Sequence, residues 1–349
     1  MFQKTLLKTL RFILFPFSLL YALVVAIRNV FFDIGFFNQT SFDIPVIAVG
    51  NLSVGGTGKT PQIEYYIRLL QNDYNVAVLS RGYKRLSKGF VLANDETKVE
   101  EIGDEPYQFF KKFPKITVAV DADRRNGIEK LMRLEPAINL ILLDDAFQHR
   151  KVKASFYTLL TSYDNRYTKD FVLPTGTLRE LRSGAKRANN IIVTKCPVSI
   201  TDIEKNKIIS EINPKNYQKV FFSSIVYDAA ITSSSKDISL DLLKEYSVVL
   251  VTGIANPKPM LQLLENEGVN YNHIEFPDHH NFKSKDIEKI KDSFERINNL
   301  NKLVLTTEKD YTRLSEKIDN LYSLGIQTTF FDNKVGFDAN VKSHLTNFK

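Results

Sequence analysis

Tryptophan is absent from the 349-residue chain, and cysteine occurs once, as Cys196. A lone thiol cannot form an internal disulfide, and with five scattered histidines it makes no zinc site, so a reducing compartment fits best. A strong charge of either sign is lacking as well: 47 Lys+Arg against 40 Asp+Glu leave +7. That surplus favours anionic partners without choosing among nucleotide, phospholipid and nucleic acid. No nucleic-acid recognition motif accompanies it, which argues against a nucleic-acid ATPase. Internal repeats are missing. At 43% hydrophobic and 25% charged residues, collagen-like, low-complexity and wholly disordered chains are excluded. The length suits one large domain or two medium ones.

One long apolar run is present, close to the N-terminus. Between Arg11 and Arg28 lie 16 uncharged residues, slightly short of the roughly 17–25 that cross a bilayer. Pro16 is expected to end or kink a helix begun upstream. Lys4, Lys8, Arg11 and Arg28 bracket the run with positive charge. No small-residue cleavage site precedes Arg28, against a cleaved signal peptide. A span leading to an exported domain conflicts with the nucleotide motifs downstream. A helix lying in the cytoplasmic leaflet fits best, with residues 1–38 as a membrane-associating segment; burial against the protein's own core or a partner is the alternative.

Pro45–Gly50 reads as a buried parallel strand, followed by Asn51–Pro61 and the helical pattern IEYYIRLL. Gly58-Lys59-Thr60 closes a P-loop signature in its proper place between strand and helix. Residues Ser53, Val54, Gly55, Gly56, Thr57, Gly58, Lys59 and Thr60 are therefore expected to cradle a nucleotide's phosphates. Lys59 would reach the β- and γ-phosphates, and the Thr60 hydroxyl would ligate Mg²⁺. Ser53 stands where the motif's first glycine usually does, and three glycines nearby partly compensate. A second apolar run, Ala137–Leu143, ends in Asp144-Asp145, which would lie at the same rim and supply an acidic group to the metal.

A GTPase would show Asp-x-x-Gly after this strand; neither Asp144 nor Asp145 is followed by it. Thr194-Lys195-Cys196-Pro197 lacks the aspartate of a guanine-specificity motif, and Thr307-Glu308-Lys309-Asp310 has its lysine one place late. Arginines recur instead at expected strand ends, in Ser80–Arg85, Asp121–Arg125, Gln148–Arg150 and Leu173–Arg182, as recognition of a second phosphate-bearing substrate requires.

In order along the chain, GNLSVGGTGKTP (50–61), SRGYKR (80–85), GDEP (103–106), LDDAFQHR (143–150), LPTGTLRE (173–180), TGIANP (252–257), FPDHHNF (276–282) and TEKDYTRL (307–314) resemble the tetraacyldisaccharide 4'-kinases, the lipid A 4'-kinases of Gram-negative bacteria. The resemblance implies transfer of the ATP γ-phosphoryl group to the 4'-hydroxyl of a tetraacylated glucosamine disaccharide 1-phosphate, at the cytoplasmic face of the inner membrane. ATP and Mg²⁺ are the implied cofactors, and the lipid A precursor and the membrane surface the implied partners. By the same resemblance Asp104 is the base on the sugar hydroxyl, assisted by His279 of the His279-His280 pair. Glu105, Asp144 and Asp145 are candidates for the metal; Arg124, Gln148, His149, Arg179 and Glu180 are candidates for contact with substrate. Asp104 is also read as a helix N-cap, and the histidines as bonding to a loop backbone. The alternatives to this activity are another P-loop kinase or ATPase acting on a membrane-proximal anionic substrate, and a non-catalytic nucleotide-binding adaptor.

The alternation of strand and helix predicts an α/β fold: a P-loop-NTPase-like, mostly parallel sheet with helices on both faces over residues 39–222. A smaller α/β unit over 223–349 is expected to carry the DHH motif to the cleft opposite the P-loop, and the two lobes to close over their substrates.

Overall fold

The apolar run Val46–Asn51 forms a strand, β1, buried along its whole length, because its alternate side chains are covered from opposite sides. Ile47 and Val49 pack against Ile63, Tyr66 and Ile67 of one helix, while Val46 and Ala48 pack against Ile128 and Leu131 of another. In this computed structural model, residues 2–134, 137–234, 236–278, 280–331 and 334–348 are described, with side chains from residue 13 onward.

Helix α1 (Phe2–Asp33) precedes β1. After β1 come α2 (Lys59–Leu70), β2 (Val76–Ser80), β3 (Val91–Leu92), α3 (Val99–Ile102), α4 (Asp104–Lys112), β4 (Thr117–Val120) and α5 (Arg124–Leu131). The first unit continues with β5 (Leu140–Asp144), β6 (Phe156–Ser162), β7 (Asn190–Thr194), α6 (Asp202–Ile212) and β8 (Lys219–Thr232). The second unit comprises β9 (Asp237–Ser239), β10 (Ser247–Thr252), α7 (Lys258–Asn266), β11 (Asn270–Glu275), α8 (Ser284–Glu295), β12 (Lys302–Thr307), α9 (Glu308–Leu314) and β13 (Leu321–Phe330). Helix α10 (Lys334–Thr346) ends the chain.

The strands form one sheet in the order β3-β4-β2-β5-β1-β6-β7-β8-β13-β12-β10-β11, with β9 beside β8. Pairing is parallel except at β3/β4, β8/β9 and β8/β13. The two units thus share strand β8, which runs on well past the Val220–Val226 stretch that reads as strand in the sequence. Its first residues, Lys219–Phe222, pair parallel with β7. From Ser223 it pairs antiparallel with β13. The second unit's strands therefore run opposite to the first unit's, and the carboxyl edges of the two face each other. Between those edges lies the β8/β13 ribbon, where Ile225, Val226 and Tyr227 pair with Thr328, Gln327 and Ile326. Ligands of open α/β sheets bind outside the carboxyl ends of strands, so this topology aims two such edges at one cleft.

Two features depart from expectation. The helix at the N-terminus continues through Pro16 as one element; the proline removes one backbone donor but does not end the helix. One of its faces docks on the body through Ser18 to Thr175 (2.6 Å), Tyr21 to the Arg179 carbonyl (2.7 Å) and Asn29 to Glu180 (3.2 Å). From residue 13 onward, Ile13, Phe17, Leu20, Leu23 and Val24 are exposed, and only 6% of the helix's apolar window is buried. Helix α10, placed by chain order in the second unit, packs on the first: Phe337, Val341 and Leu345 join Ile47 and Tyr66 in one core. The Phe337 ring stacks on Phe330 at 4.3 Å between centroids.

Phe337 is fully buried, so Phe337→Ala should lower the unfolding free energy by about 3–5 kcal/mol in a denaturant titration. A loss under about 1 kcal/mol would mean that α10 does not belong to the first unit's core.

Candidate active site

The turn from β1 into α2 requires backbone that only glycine adopts easily. Gly55 has φ +113 and Gly58, the residue capping α2, φ +84, so the amides of this loop turn inward without a Cβ in the way. The loop is braced from three directions. The Asn51 amide donates to Thr57 Oγ1 (2.8 Å). Lys195, after β7, donates to the Gly56 carbonyl (2.7 Å), and Thr194 Oγ1 to the Thr57 carbonyl (2.8 Å). The LPTGTLRE segment runs beside the loop's entry, with the Val54 amide donating to Thr177 and the Arg179 amide to Leu52. Ser53 is buried in a bridge to Leu178 and Val54 is exposed.

Residues Val49 and Asp144 are register partners, so the carboxylate pair after β5 stands beside the P-loop. The two carboxylates are used differently. Asp145, at φ +46, takes an Arg179 fork at 2.8 and 3.2 Å and lies 3.8 Å from Lys59 Nζ. Burial works against its charge, but Arg179 and Lys59 prevail and hold it below the usual carboxylate range. Asp144 accepts from Ser80 (3.1 Å) with one oxygen, while its Oδ1 is buried with no hydrogen-bond partner. Burial, then the charges of Asp145 and Glu105, push its carboxyl up to about 6. A buried, destabilised carboxylate oxygen beside a phosphate loop is where a divalent cation fits, so Asp144 meets the requirement for Mg²⁺. Among the described residues no group of three or more His, Cys, Asp or Glu could hold a metal ion. A nucleotide-borne Mg²⁺ takes most of its ligands from phosphate and water, so one or two protein oxygens suffice.

The base candidate enters from α4. Gly103, at φ +91, is its cap, and a Cβ there would meet the Tyr83 carbonyl at 3.0 Å. Asp104 is thus the first residue of the helix rather than the cap. Its carboxylate is forked by Arg313 of α9, with Nε to Oδ1 at 2.9 Å and Nη2 to Oδ2. Gly103 packs on the segment just after β2, whose Ser80 bonds Asp144, so this helix start stands on the rim that carries the carboxylate pair. His279 lies outside the described residues. His280 bonds Asp286 (2.9 Å) and stacks on Phe276, which anchors it in the loop after β11.

The substrate candidates form a second layer. Glu180, 2% exposed, accepts from Arg187 (2.8 Å), Gln148 (3.0 Å) and Asn29. Gln148 also donates to the Asn51 carbonyl (2.7 Å). Arg124 is buried and donates to the Asp121 (2.9 Å) and Asp144 (3.4 Å) carbonyls; burial lowers it to about 10. These three hold the loops together around the site, and Arg179 is committed to Asp145. Arg313, Lys195 and Asn51 contact Asp104, Gly56 and Thr57 and have no role assigned from the sequence; Arg313 stands inside the TEKDYTRL stretch, which was the available signal.

A family model described as Tetraacyldisaccharide-1-P 4'-kinase matches residues 10–346. The chain belongs to this kinase family. It is 51% identical over 338 residues to the tetraacyldisaccharide 4'-kinase of Flavobacterium johnsoniae, covering 96% of this chain and 97% of that one. Its identity to the Flavobacterium psychrophilum kinase is 52% over 340 residues, with the same coverage. Among solved structures, the crystal structure of LpxK from Aquifex aeolicus in complex with ATP matches with a TM-score of 0.77 at 30% identity, covering 96% of this chain and 99% of that chain. As a tetraacyldisaccharide 4'-kinase by family, the chain is an ATP-dependent phosphotransferase of lipid A biosynthesis.

In this kinase His149 Nε2 is buried without a partner. Burial, with the Arg124 charge beside it, lowers His149 from 6.5 to about 4. The folded ring then stays neutral where the unfolded chain takes a proton, so stability falls as pH drops from 6.5 towards 4. His149→Gln should flatten that part of the stability curve in urea titrations; an unchanged slope would show the folded ring to be protonated.

Proposed function

We propose that γ-phosphoryl transfer occurs in the cleft between the P-loop and the loop after β11, with Asp104 as the base on the sugar's 4'-hydroxyl. The observation that carries this reading is that Lys59, the Asp144/Asp145 pair and the start of α4 stand on one rim, with Lys59 3.8 Å from Asp145 and Gly103 packed on the turn after β2, whose Ser80 bonds Asp144. The hydroxyl oxygen forms a bond to the γ-phosphorus as the bond from phosphorus to the β–γ bridging oxygen breaks. ADP departs, and the hydroxyl proton passes to the Asp104 carboxylate. A free aspartate, near 3.9, is a poor base at neutral pH, so His279 is assigned the role of sharing that proton. The loop amides of residues 53–60 hold the triphosphate, and Lys59 compensates the charge building on it.

Thr60 and Asp144, with Asp145 and Glu105 behind them, are the residues that would hold Mg²⁺. When bound, the ion neutralises phosphate charge. The roles of Gln148, Glu180, Arg124 and Arg179 follow from their bonds: they fix the loops that line the cleft, and His149, whose Nε2 has no partner, is the member of the set left to meet the substrate.

The enzyme works at a membrane surface in this reading. The exposed apolar face of α1 supports it, as does a cavity of about 600 Å³ lined by Val24, Ile27, Phe31 and Phe37 together with Arg28, Arg125 and Lys151. Apolar wall and cations together suit an anionic lipid, and a helix of this character lies along the interface rather than in water.

Asp104→Ala should lower kcat by about 10²–10⁴-fold while the ATP dissociation constant stays within about twofold, as read by calorimetry beside steady-state assays. A fully active purified variant would remove Asp104 from the chemistry. Deleting residues 1–38 should shift the protein from vesicles of anionic phospholipid to the soluble fraction. Undiminished vesicle binding would overturn the membrane role of α1.

A further inference from the structure

We infer that Arg313 is a positioning residue for Asp104, which ties the base's orientation to the placement of the second unit. The inference rests on the assignment of Asp104 as base. Helices α4 and α9 meet across the junction of the two units in antiparallel sense, with an ion pair at each end. At one end is Asp104–Arg313; at the other Lys112 bonds Glu308 and Glu64 (2.8 Å). The ends differ in what they hold. The Lys112 end joins groups with no part in the reaction. The Arg313 guanidinium takes both oxygens of Asp104 and, through Nη1, donates to the His280 carbonyl at 2.7 Å. One planar group therefore fixes the base and the histidine-bearing loop relative to each other.

Geometry makes this more than a surface pair. The two side chains are 15% and 14% exposed, and the fork engages two of roughly four acceptor positions of the carboxylate, so the group can be held and still accept a proton. Arg313 is itself held. Its helix is capped by Thr307, and the Asp310 carboxylate one turn earlier accepts the Gly253 amide (2.8 Å) from the loop after β10. A lysine here would keep the charge and lose the fork.

The test uses full-length enzyme with ATP and tetraacyldisaccharide 1-phosphate. Arg313→Ala should lower kcat about 100-fold with the KM for ATP within about twofold, and millimolar guanidinium should restore part of the loss. Arg313→Lys, which keeps the charge between the helices, should still lose about tenfold in kcat. Glu308→Gln, which loosens the far end of the same helix pair, should cost at most about threefold. In an Asp104→Asn background, Arg313→Ala should add less than about twofold, because the group it orients is gone. The inference is overturned if Arg313→Lys keeps wild-type kcat, if Glu308→Gln matches Arg313→Ala, or if the double variant shows the full additional loss. Wild-type activity in Asp104→Asn alone would instead refute the base assignment beneath it.

Discussion

Strand β8 is the constraint from which the rest follows. It pairs parallel with the first unit over its early residues and antiparallel with β13 thereafter. That single reversal turns the second unit's strands around, so two carboxyl edges look into one cleft instead of away from each other. The loops after β1 and β5 bring the P-loop and Asp144/Asp145 to the lower edge. The loops after β10, β11 and β12 bring Gly253, the histidine pair's segment and α9 to the upper one. Phosphoryl transfer demands that the triphosphate grip and the base meet in one enclosed, oriented place, and here the second unit's Arg313 and His280 loop close over the rim that carries both. A fold with both edges aimed inward meets this demand without a long excursion of either loop.

The division of labour between the adjacent carboxylates follows from their surroundings. Asp145 faces Lys59 and Arg179, which keep it charged and which it in turn holds in place. Asp144 is enclosed, bonded at one oxygen and uncompensated at the other, which leaves it wanting a positive charge. Desolvation is tolerable for such a group only where a ligand completes it. Around the pair, Glu180, Gln148, Arg187 and Asn29 knit the apolar N-terminal helix to the loops of the site, so that helix and the glycine-rich loop share one hydrogen-bond network.

Much of this was legible in the sequence because it is local. The strand, glycine-rich turn, lysine and helix start of the P-loop are contiguous, and so is the run of apolar residues ending in Asp144-Asp145. The alternation of strands and helices could be read for the same reason. What escaped was what the fold brings together from afar. Arg313 and Asp104 are 209 residues apart, and no periodicity announces such a pair. Helix α10 buries Phe337, Val341 and Leu345 among mixed polar neighbours, a pattern too weak to show which sheet it covers. Pro16 misled in the other direction: a proline costs a helix one bond, and a long helix survives it. The length of β8 was hidden because its second half carries Asp228 and two alanines, which are poor strand formers, and its pairing with β13 overrides them.

The central claim, that the first unit's rim brings the triphosphate and Asp104 to one point beneath the second unit's loops, is tested most directly by a crystal structure with a non-hydrolysable ATP analogue. The account predicts the triphosphate on the amides of residues 53–60, its terminal phosphorus between Lys59 and Asp104. A terminal phosphate walled off from Asp104, with the carboxylate opening onto another surface, would contradict it.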